Sequence, residues 1–385
     1  MREVAITGLG QTPVGEHWDT SLRALAADAA RAALDDAGLA TVDALYVGNT
    51  YGAAFSSQSQ IGALAADYAG LHGVEAFAVE AGEASGGAAL RAGYLAVASG
   101  AVESVMVLGV EKSSDTVGTA HIAARNVSLD ADYEAIHGAT LPALAALLMR
   151  RYMHEYRVVL AAFEPFSINA HANGKLNPGA MYRNLLKPGA FGKAPVVADP
   201  VNLFDSAPDG DGAAAVILTS AAQAADLVPH PVRITGSAGA SDTLALHDRR
   251  NLLDLNAVRL STNRALAEAG ITREAVDLFE AHDAFTILTV LALEAAGFAE
   301  AGRGWVLAQD GGIGLTGSLP LSTFGGLKAR GNPIGATGVY QAVEAALQLR
   351  GEAGPNQVPD ARIALIQSIG GLGSSVFSHV LQGKC

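Results

Sequence analysis

Apolar and polar positions along the first hundred residues keep two alternating rhythms. Short apolar runs rich in β-branched residues, "EVAITGLG", "DALYVGN", "VEAFAVE" and "SVMVLGVE", predict strands. Between them the apolar residues recur at helical spacing. "SLRALAADAARAALDDAG", from Ser21 to Gly38, predicts a helix with a Ser start and a Gly stop. "SQIGALAADYAG" predicts a second helix. A third runs from Ala84 to Gly100 and is built mostly of Ala, Gly and Leu, so it should be buried. Strands alternating with helices predict an α/β fold with a mostly parallel sheet and crossover helices.

The rhythm breaks between about residues 112 and 200. Two helical stretches survive there, "LPALAALLMRRYMHEY" and "LAAFEPFSINAHAN", among Gly, Asn and Pro turns such as "NGKLNPGAMYRN". This reads as an inserted loop domain, and long insertions tend to carry function. The pattern resumes at "DGDGAAAVILTS" and then starts a second cycle. "VRITGSAGAS" is a strand, "NRALAEAG" a helix, "VDLFEAHDAF" a strand and "TILTVLALEAAG" a helix. "GNPIGATGVYQAVEAALQLRG" is a Gly-rich elbow with its helix, and "ARIALIQSIGG" and "SSVFSHVLQ" are strands. An elbow, a small-residue helix and a strand thus occur once in each half. The echo implies a duplicated unit, with halves at 1–225 (including the insertion) and 226–385 packed as one body.

Composition narrows the function. A formal charge of −13 over 385 residues, without a basic run, excludes a nucleic-acid footprint and argues against docking on anionic membranes. The single cysteine, Cys385, rules out an internal disulfide and a cysteine zinc site. The opening "MREVAITGLG" is strand-like rather than a signal peptide, and no run of about 20 apolar residues would span a bilayer. A cytoplasmic protein is expected. "DSAPDGDG" lacks the spacing of a calcium loop, and no metal is assigned.

Four turns sit where open α/β sheets build sites, at strand ends and helix starts. They are Gly82–Gly87 around Glu83, His282–Phe285, Gly331–Gly338 around Asn332, and Ser368–Gly373 with Gly370 and Gly371. In this order they resemble the thiolase superfamily, most closely its acetyl-CoA acetyltransferase and sterol-carrier-protein-type branch. The resemblance runs from "VAITGLGQTPVG" to "GGLGSSVFSHVL" and includes "ASGGAALRAGYLAVASG", "LGVEK", "RRYMHEY", "AHDAFT" and "GGLKARGNPIGATG". It implies duplicated βαβαβαββ halves in a five-layer αβαβα body, usually a homodimer. It also implies coenzyme A as part of the substrate, met by the region at about 112–200, with no permanently bound cofactor. For some members of the branch it implies a partner carrying a zinc ribbon and an OB-fold.

The resemblance also implies chemistry that this sequence has altered. The family places a nucleophilic cysteine at the first elbow, where a helix N-terminus favours the thiolate. Here that position holds Glu83. Asn332, in "GNPIG", stands where the family writes an activating histidine, and Ser368 where many members place a second cysteine. His282, in "HDAF", matches the branch, as does the Gly370–Gly371 turn. A carboxylate is a poor thioester acceptor, and Asn is no general base near pH 7.

Each candidate has a plain alternative. Glu83 is either an acid/base group, or mimic of an acylated cysteine, or an acid favoured by the helix dipole. His282 is an oxyanion donor or acid/base group, or a satisfied core histidine. Asp283 reads as a helix N-cap, Asn332 as a donor to a thioester or a turn residue, and Ser368 as a site or turn residue. Tyr51, Tyr152, Tyr182 and Tyr340 are proton donors or core. His137, His171, Asn173, Arg183 and Lys187 in the insertion read as mostly solvated, and the resemblance implies that a few basic residues there meet coenzyme A phosphates. Three functions remain open. One is retro-aldol or decarboxylation chemistry on an acyl-CoA, with Glu83 and His282 moving protons and Asn332 with the Gly370 amide holding an enolate. The others are a non-catalytic acyl-CoA-binding subunit and a true thiolase.

Overall fold

The computed structural model describes residues 1–383, so Cys385 lies outside the described residues. The first half is β1 (Val4–Gln11), α1 (Leu22–Ala37), β2 (Ala44–Gly48), the single turn α2 (Gly52–Phe55), α3 (Ile61–Ala69), β3 (Glu75–Val79), α4 (Ser85–Ser99) and β4 (Ser104–Glu111). The insertion holds α5 (Thr119–Arg125), α6 (Leu141–Tyr156), α7 (Glu164–Leu176) and a small hairpin of β5 (Val196–Ala198) and β6 (Val201–Asn202). It returns to the sheet as β7 (Gly212–Ser220), followed by α8 (Ala221–Leu227). The second half is β8 (Val232–Ser241), α9 (Asn256–Ala269), β9 (Leu278–Glu280), α10 (Thr286–Ala295), the short α11 (Val306–Gln309) and α12 (Gly326–Ala329), α13 (Thr337–Arg350), β10 (Ile363–Gly370) and β11 (Ser375–Gln382).

Helix ends follow the sequence signals. The Ser21 hydroxyl accepts from the Ala24 amide, and Gly38 closes α1 in the left-handed conformation that lacks a penalty only for glycine. The "NRALAEAG" helix is longer than its periodicity predicts and starts at Asn256, because Ala257, Val258, Ser261 and Thr262 are also buried against the sheet.

Nine strands form one sheet in the order β3-β2-β4-β7-β1-β8-β11-β10-β9. The expectation of a mostly parallel sheet is corrected. β2 lies parallel to β3 and β4, and β9 to β10, but β7, β1, β8, β11 and β10 pair antiparallel with one another in turn, and β4 with β7. The reason is connectivity. Strands joined by α3 and α4 obey the crossover rule, whereas β7 returns from the long insertion and the tight turn after Gly370 folds β11 back on β10.

The apolar core falls into layers. α1 and α3 cover one face of the first-half strands, with Leu25, Ala29, Leu45, Val47 and Leu108 buried between them. α4 and α13 lie in the middle against strands of both halves, around Leu90, Val107, Val216, Val339 and Ile366. α9 and α10 cover the far face with Leu266, Leu288 and Val376. This is the expected α/β body with a central helical layer.

That central layer positions the site. α4 and α13 start back to back, and their backbones nearly touch. A Cβ on Gly86 would sit 2.8 Å from the Gly335 carbonyl oxygen, and one on Gly338 would sit 2.2 Å from the Gly87 amide. The small residues of both elbows are therefore required by the crossing itself.

Candidate functional site

β3 ends at Val79, and the chain turns through Gly82 with φ +60° before α4 begins at Ser85. The Ser85 hydroxyl bridges this turn, donating to the Gly82 carbonyl at 2.6 Å and accepting from the Ala81 amide at 3.0 Å. Glu83 is consequently held inward, with only 3% of its surface exposed. Its Oε2 accepts the Gly371 amide at 2.8 Å, and its Oε1 accepts the Tyr51 hydroxyl at 3.0 Å.

Glu83 also has a cation. Arg125, at the end of α5, places Nη1 3.2 Å from Glu83 Oε1, close enough for an ion pair but without an aligned hydrogen bond. The Arg125 guanidinium lies over the Tyr51 ring at 5.2 Å, and its Nε is 3.3 Å from Asp209 Oδ2. Burial disfavours its charge, yet Asp209, Tyr51, Glu83 and Glu111 outweigh that, and its pKa is raised above the ordinary value. Burial likewise opposes the Asp209 carboxylate, while Arg125 and the bonds from His121 and Asn332 prevail and lower its pKa.

His121 has no free lone pair. Nε2 faces Asp209 Oδ2 at 3.0 Å and Nδ1 faces the Thr116 carbonyl at 3.3 Å, and both partners only accept. Only the imidazolium satisfies both. The Asp209 bond is the main reason its pKa is raised.

The structure gathers most of the predicted residues but in unequal roles. His282 is buried, with Nδ1 unpartnered among the described residues. Burial pushes its pKa down to about 4, against the pull of the nearby Glu83 charge, so it is neutral at pH 7. Asn332 joins the network through Nδ2, which donates to Asp209 Oδ1 at 3.3 Å. Its Oδ1 accepts from the Ile334 amide and the Thr337 hydroxyl, which locks the second elbow. The Gly371 amide is committed to Glu83, and Gly370 sits in the last β10–β11 pair opposite Ser375. Ser368 is turned away: its hydroxyl donates to Gln341 at 3.0 Å, beneath the helix crossing.

Other expectations need correction. Asp283 does not cap α10; its Oδ1 accepts from the Leu327 amide of α12. His171 and Asn173 are buried rather than solvated, because α7 packs against the segment before α12. Asn173 donates to the Leu321 and Ser322 carbonyls, and His171 Nδ1 meets the Asn184 carbonyl. His137, Arg183 and Lys187 are exposed, as expected.

Sequence reasoning missed Arg125, Asp209 and His121. They come from the irregular stretch and from "DSAPDGDG", and nothing in their spacing links them. It also missed Glu111, a fully buried carboxylate beneath the elbow. Glu111 accepts from the Thr50, Tyr51 and Gly335 amides and from Asn49 Nδ2. Burial raises its pKa to about 7 despite those donors.

A cavity of about 660 Å³ opens beside this network. Leu141, Pro142, Val197, Leu203, Phe204 and Phe285 form its apolar wall, and Arg125, Asp209, His121, His171 and Lys328 also line it. Lys328 is buried, which lowers its pKa, and it donates to the Phe204 and Asp205 carbonyls. Glu83 and His282 are not on the wall; Arg125 stands between Glu83 and the cavity, touching both. The arrangement can hold an elongated, partly apolar ligand whose polar end meets a guanidinium.

Comparison with known proteins gives the same picture along the whole chain. Residues 4–186 match the family profile described as "Thiolase, N-terminal domain", and 238–383 match "Thiolase C-terminal domain-like". An acetyl-CoA acetyltransferase of Methanothermobacter thermautotrophicus is 42% identical, with 99% of each chain covered. The 17-hydroxy-3-oxo-4-pregnene-20-carboxyl-CoA lyase of Mycobacterium tuberculosis is 30% identical over 91% of this chain and 92% of its own. A solved structure, the Ltp2-ChsH2(DUF35) aldolase, superposes with a TM-score of 0.85 at 27% identity, covering 99% of this chain and 97% of the other.

Proposed function

The chain belongs to the thiolase family, and from that premise we propose that it binds an acyl-CoA and makes or breaks a C–C bond without an acyl-cysteine. The observation that carries this is Glu83 at the elbow. The position where a thiolase would present its nucleophile holds a carboxylate, and that carboxylate occupies the Gly371 amide as an acyl oxygen would. The favoured reaction is retro-aldol cleavage of a 3-hydroxyacyl-CoA. The β-hydroxyl gives up its proton, the Cα–Cβ bond breaks, and its electron pair moves onto the thioester oxygen as an enolate. Protonation at Cα then releases the shorter acyl-CoA and a carbonyl product. Glu83 and His282 are the proton-handling pair in this reading. Decarboxylation of a 2-carboxyacyl-CoA would pass through the same enolate. The relatives named lyase and aldolase support this class of chemistry, while the 42% identical relative is named an acetyltransferase and supports the thiolase reading.

A second reading is a non-catalytic acyl-CoA-binding subunit working with a zinc-ribbon/OB-fold partner. It is favoured by the burial of Glu83 behind Arg125, and by the DUF35 component named with the aldolase neighbour. A homodimer fits either reading. β3 is an open sheet edge with a single charged residue, and Phe77 on it is 43% exposed, the kind of edge that proteins normally cover.

The test is incubation with 3-hydroxyacyl-CoA, and separately with acetyl-CoA and with acetoacetyl-CoA plus CoA, read by mass spectrometry of protein and products. We expect equal amounts of shorter acyl-CoA and carbonyl product, and an unmodified protein. Tight binding without turnover would favour the subunit reading. A covalent acyl-enzyme with thiolysis would restore the thiolase.

A further inference from the structure

We propose that Arg125 is the group that polarises the thioester carbonyl and holds the enolate oxygen in this chain. This rests on the acyl-CoA reading above, and follows from counting the donors around the elbow. An enolate oxygen in a water-poor site needs donors aimed at it in advance. The Gly371 amide is spent on Glu83 at 2.8 Å, and Gly370, at the end of the β10–β11 ladder opposite Ser375, is not on the cavity wall. The Asn332 side-chain amide faces Asp209, and Asn332 is not on the cavity wall. Both His121 nitrogens are occupied by acceptors. Lys328 spends two of its three protons on the Phe204 and Asp205 carbonyls, and has no bond to the elbow.

Arg125 alone combines free donors with a place on the cavity wall; His282, whose Nδ1 is also unpartnered among the described residues, is not on that wall. It lines the cavity and lies 3.2 Å from Glu83. Of its five N–H groups, Nε points to Asp209, while Nη1 lacks an aligned acceptor and Nη2 makes no hydrogen bond among the described residues. Glu83, Asp209 and the Tyr51 face fix the plane of the guanidinium before any ligand arrives. A fixed, permanently charged fork is suited to a developing oxyanion. The chemistry of coenzyme A also separates this role from anchoring its phosphates. The pantetheine arm lies between thioester and diphosphate, so a cation at the elbow serves the thioester end.

The experiment reads the carbonyl directly. Acetyl-CoA labelled with ¹³C at the thioester carbon is bound to the intact protein, and isotope-edited infrared difference spectra are recorded. The wild type should move the carbonyl stretch to lower frequency than in free acetyl-CoA. Arg125→Lys, which keeps a charge but loses the fork, should move it less, and Arg125→Met should leave it at the free value while acetyl-CoA still binds. Bound acetyl-CoA with an unshifted stretch in the wild type would overturn this role and leave the acyl-CoA reading standing. An equal shift in Arg125→Met would overturn it in favour of another donor. Failure of acetyl-CoA to bind the wild type would instead remove the acyl-CoA reading, and this role with it. If Arg125→Met does not fold, Arg125→Lys carries the comparison, and a shift in it equal to that of the wild type would overturn the role.

Discussion

The two elbows, before α4 and before α13, share one packing device and diverge in everything that faces the site. At both, glycines let the helix starts cross with backbones almost in contact. At the first, the tip of the turn is a buried carboxylate held by a cation, a hydroxyl and an amide. At the second, Asn332 is held by two hydrogen bonds within its own turn and one to the Asp209 carboxylate. The scaffold is therefore a steric requirement, whereas the reactive groups are an electrostatic choice made within it.

The steric half breaks most easily. Gly338→Ala would push a methyl to 2.2 Å from the Gly87 amide, with no flexible side chain to yield. It should cost about 3 kcal/mol or more, read as a lowered urea midpoint. Gly351→Ala, where a Cβ meets nothing within 4 Å but φ is +75°, should cost only about 1 kcal/mol.

The electrostatic half is next. Arg125→Met leaves Glu83 and Asp209 without their shared cation, and should destabilise by about 3 kcal/mol. Adding Glu83→Gln should recover part of that loss. Additive effects in the denaturation cycle would mean the pair is not coupled.

Exchanging the chemistry at both elbows sharpens the contrast. Glu83→Cys with Asn332→His should gain measurable acetoacetyl-CoA thiolysis if the pocket is otherwise competent, and each single change should give less. A well-folded double variant without any gain would mean that Arg125 and Asp209 have reshaped the site beyond the two positions.

The net effect of pH is the smallest, because two buried groups slope in opposite directions and offset each other. Glu111 titrates near 7 in the fold and near 4.5 unfolded. The folded state thus retains a proton that the unfolded chain has lost, and Glu111 stability falls as pH rises from 4.5 to 7. His282 titrates near 4 folded and 6.5 unfolded. The unfolded chain binds the extra proton, so its contribution is lost as pH falls from 6.5 to 4. Denaturation midpoints of Glu111→Gln and His282→Gln across that window should deviate from the wild type with opposite slopes.

Most elements were legible because their signals are local. Ser21 and Gly38 bound α1 whatever surrounds them, and the Gly-rich runs announce the elbows before any contact is known. The antiparallel pairings of β7 and β11 were not legible, since pairing depends on where a long excursion or a tight turn delivers a strand. The site divides in the same way. Glu83, His282 and Asn332 sit in turns with recognisable wording. Arg125, His121 and Asp209 sit in stretches without periodicity, and only the folded insertion brings them together.

From its sequence alone this protein has an α/β body with two echoing elbows, a carboxylate at the first of them and an asparagine at the second. Those follow from periodicity, glycine placement and residue identity, which act over a few neighbouring positions. Tertiary structure decided that the carboxylate faces inward, that Arg125 neutralises it, that Ser368 turns away to Gln341, and that Asp209 links both elbows. Charge pairing and burial act through space, between residues whose distance along the chain carries no information about their distance in the fold.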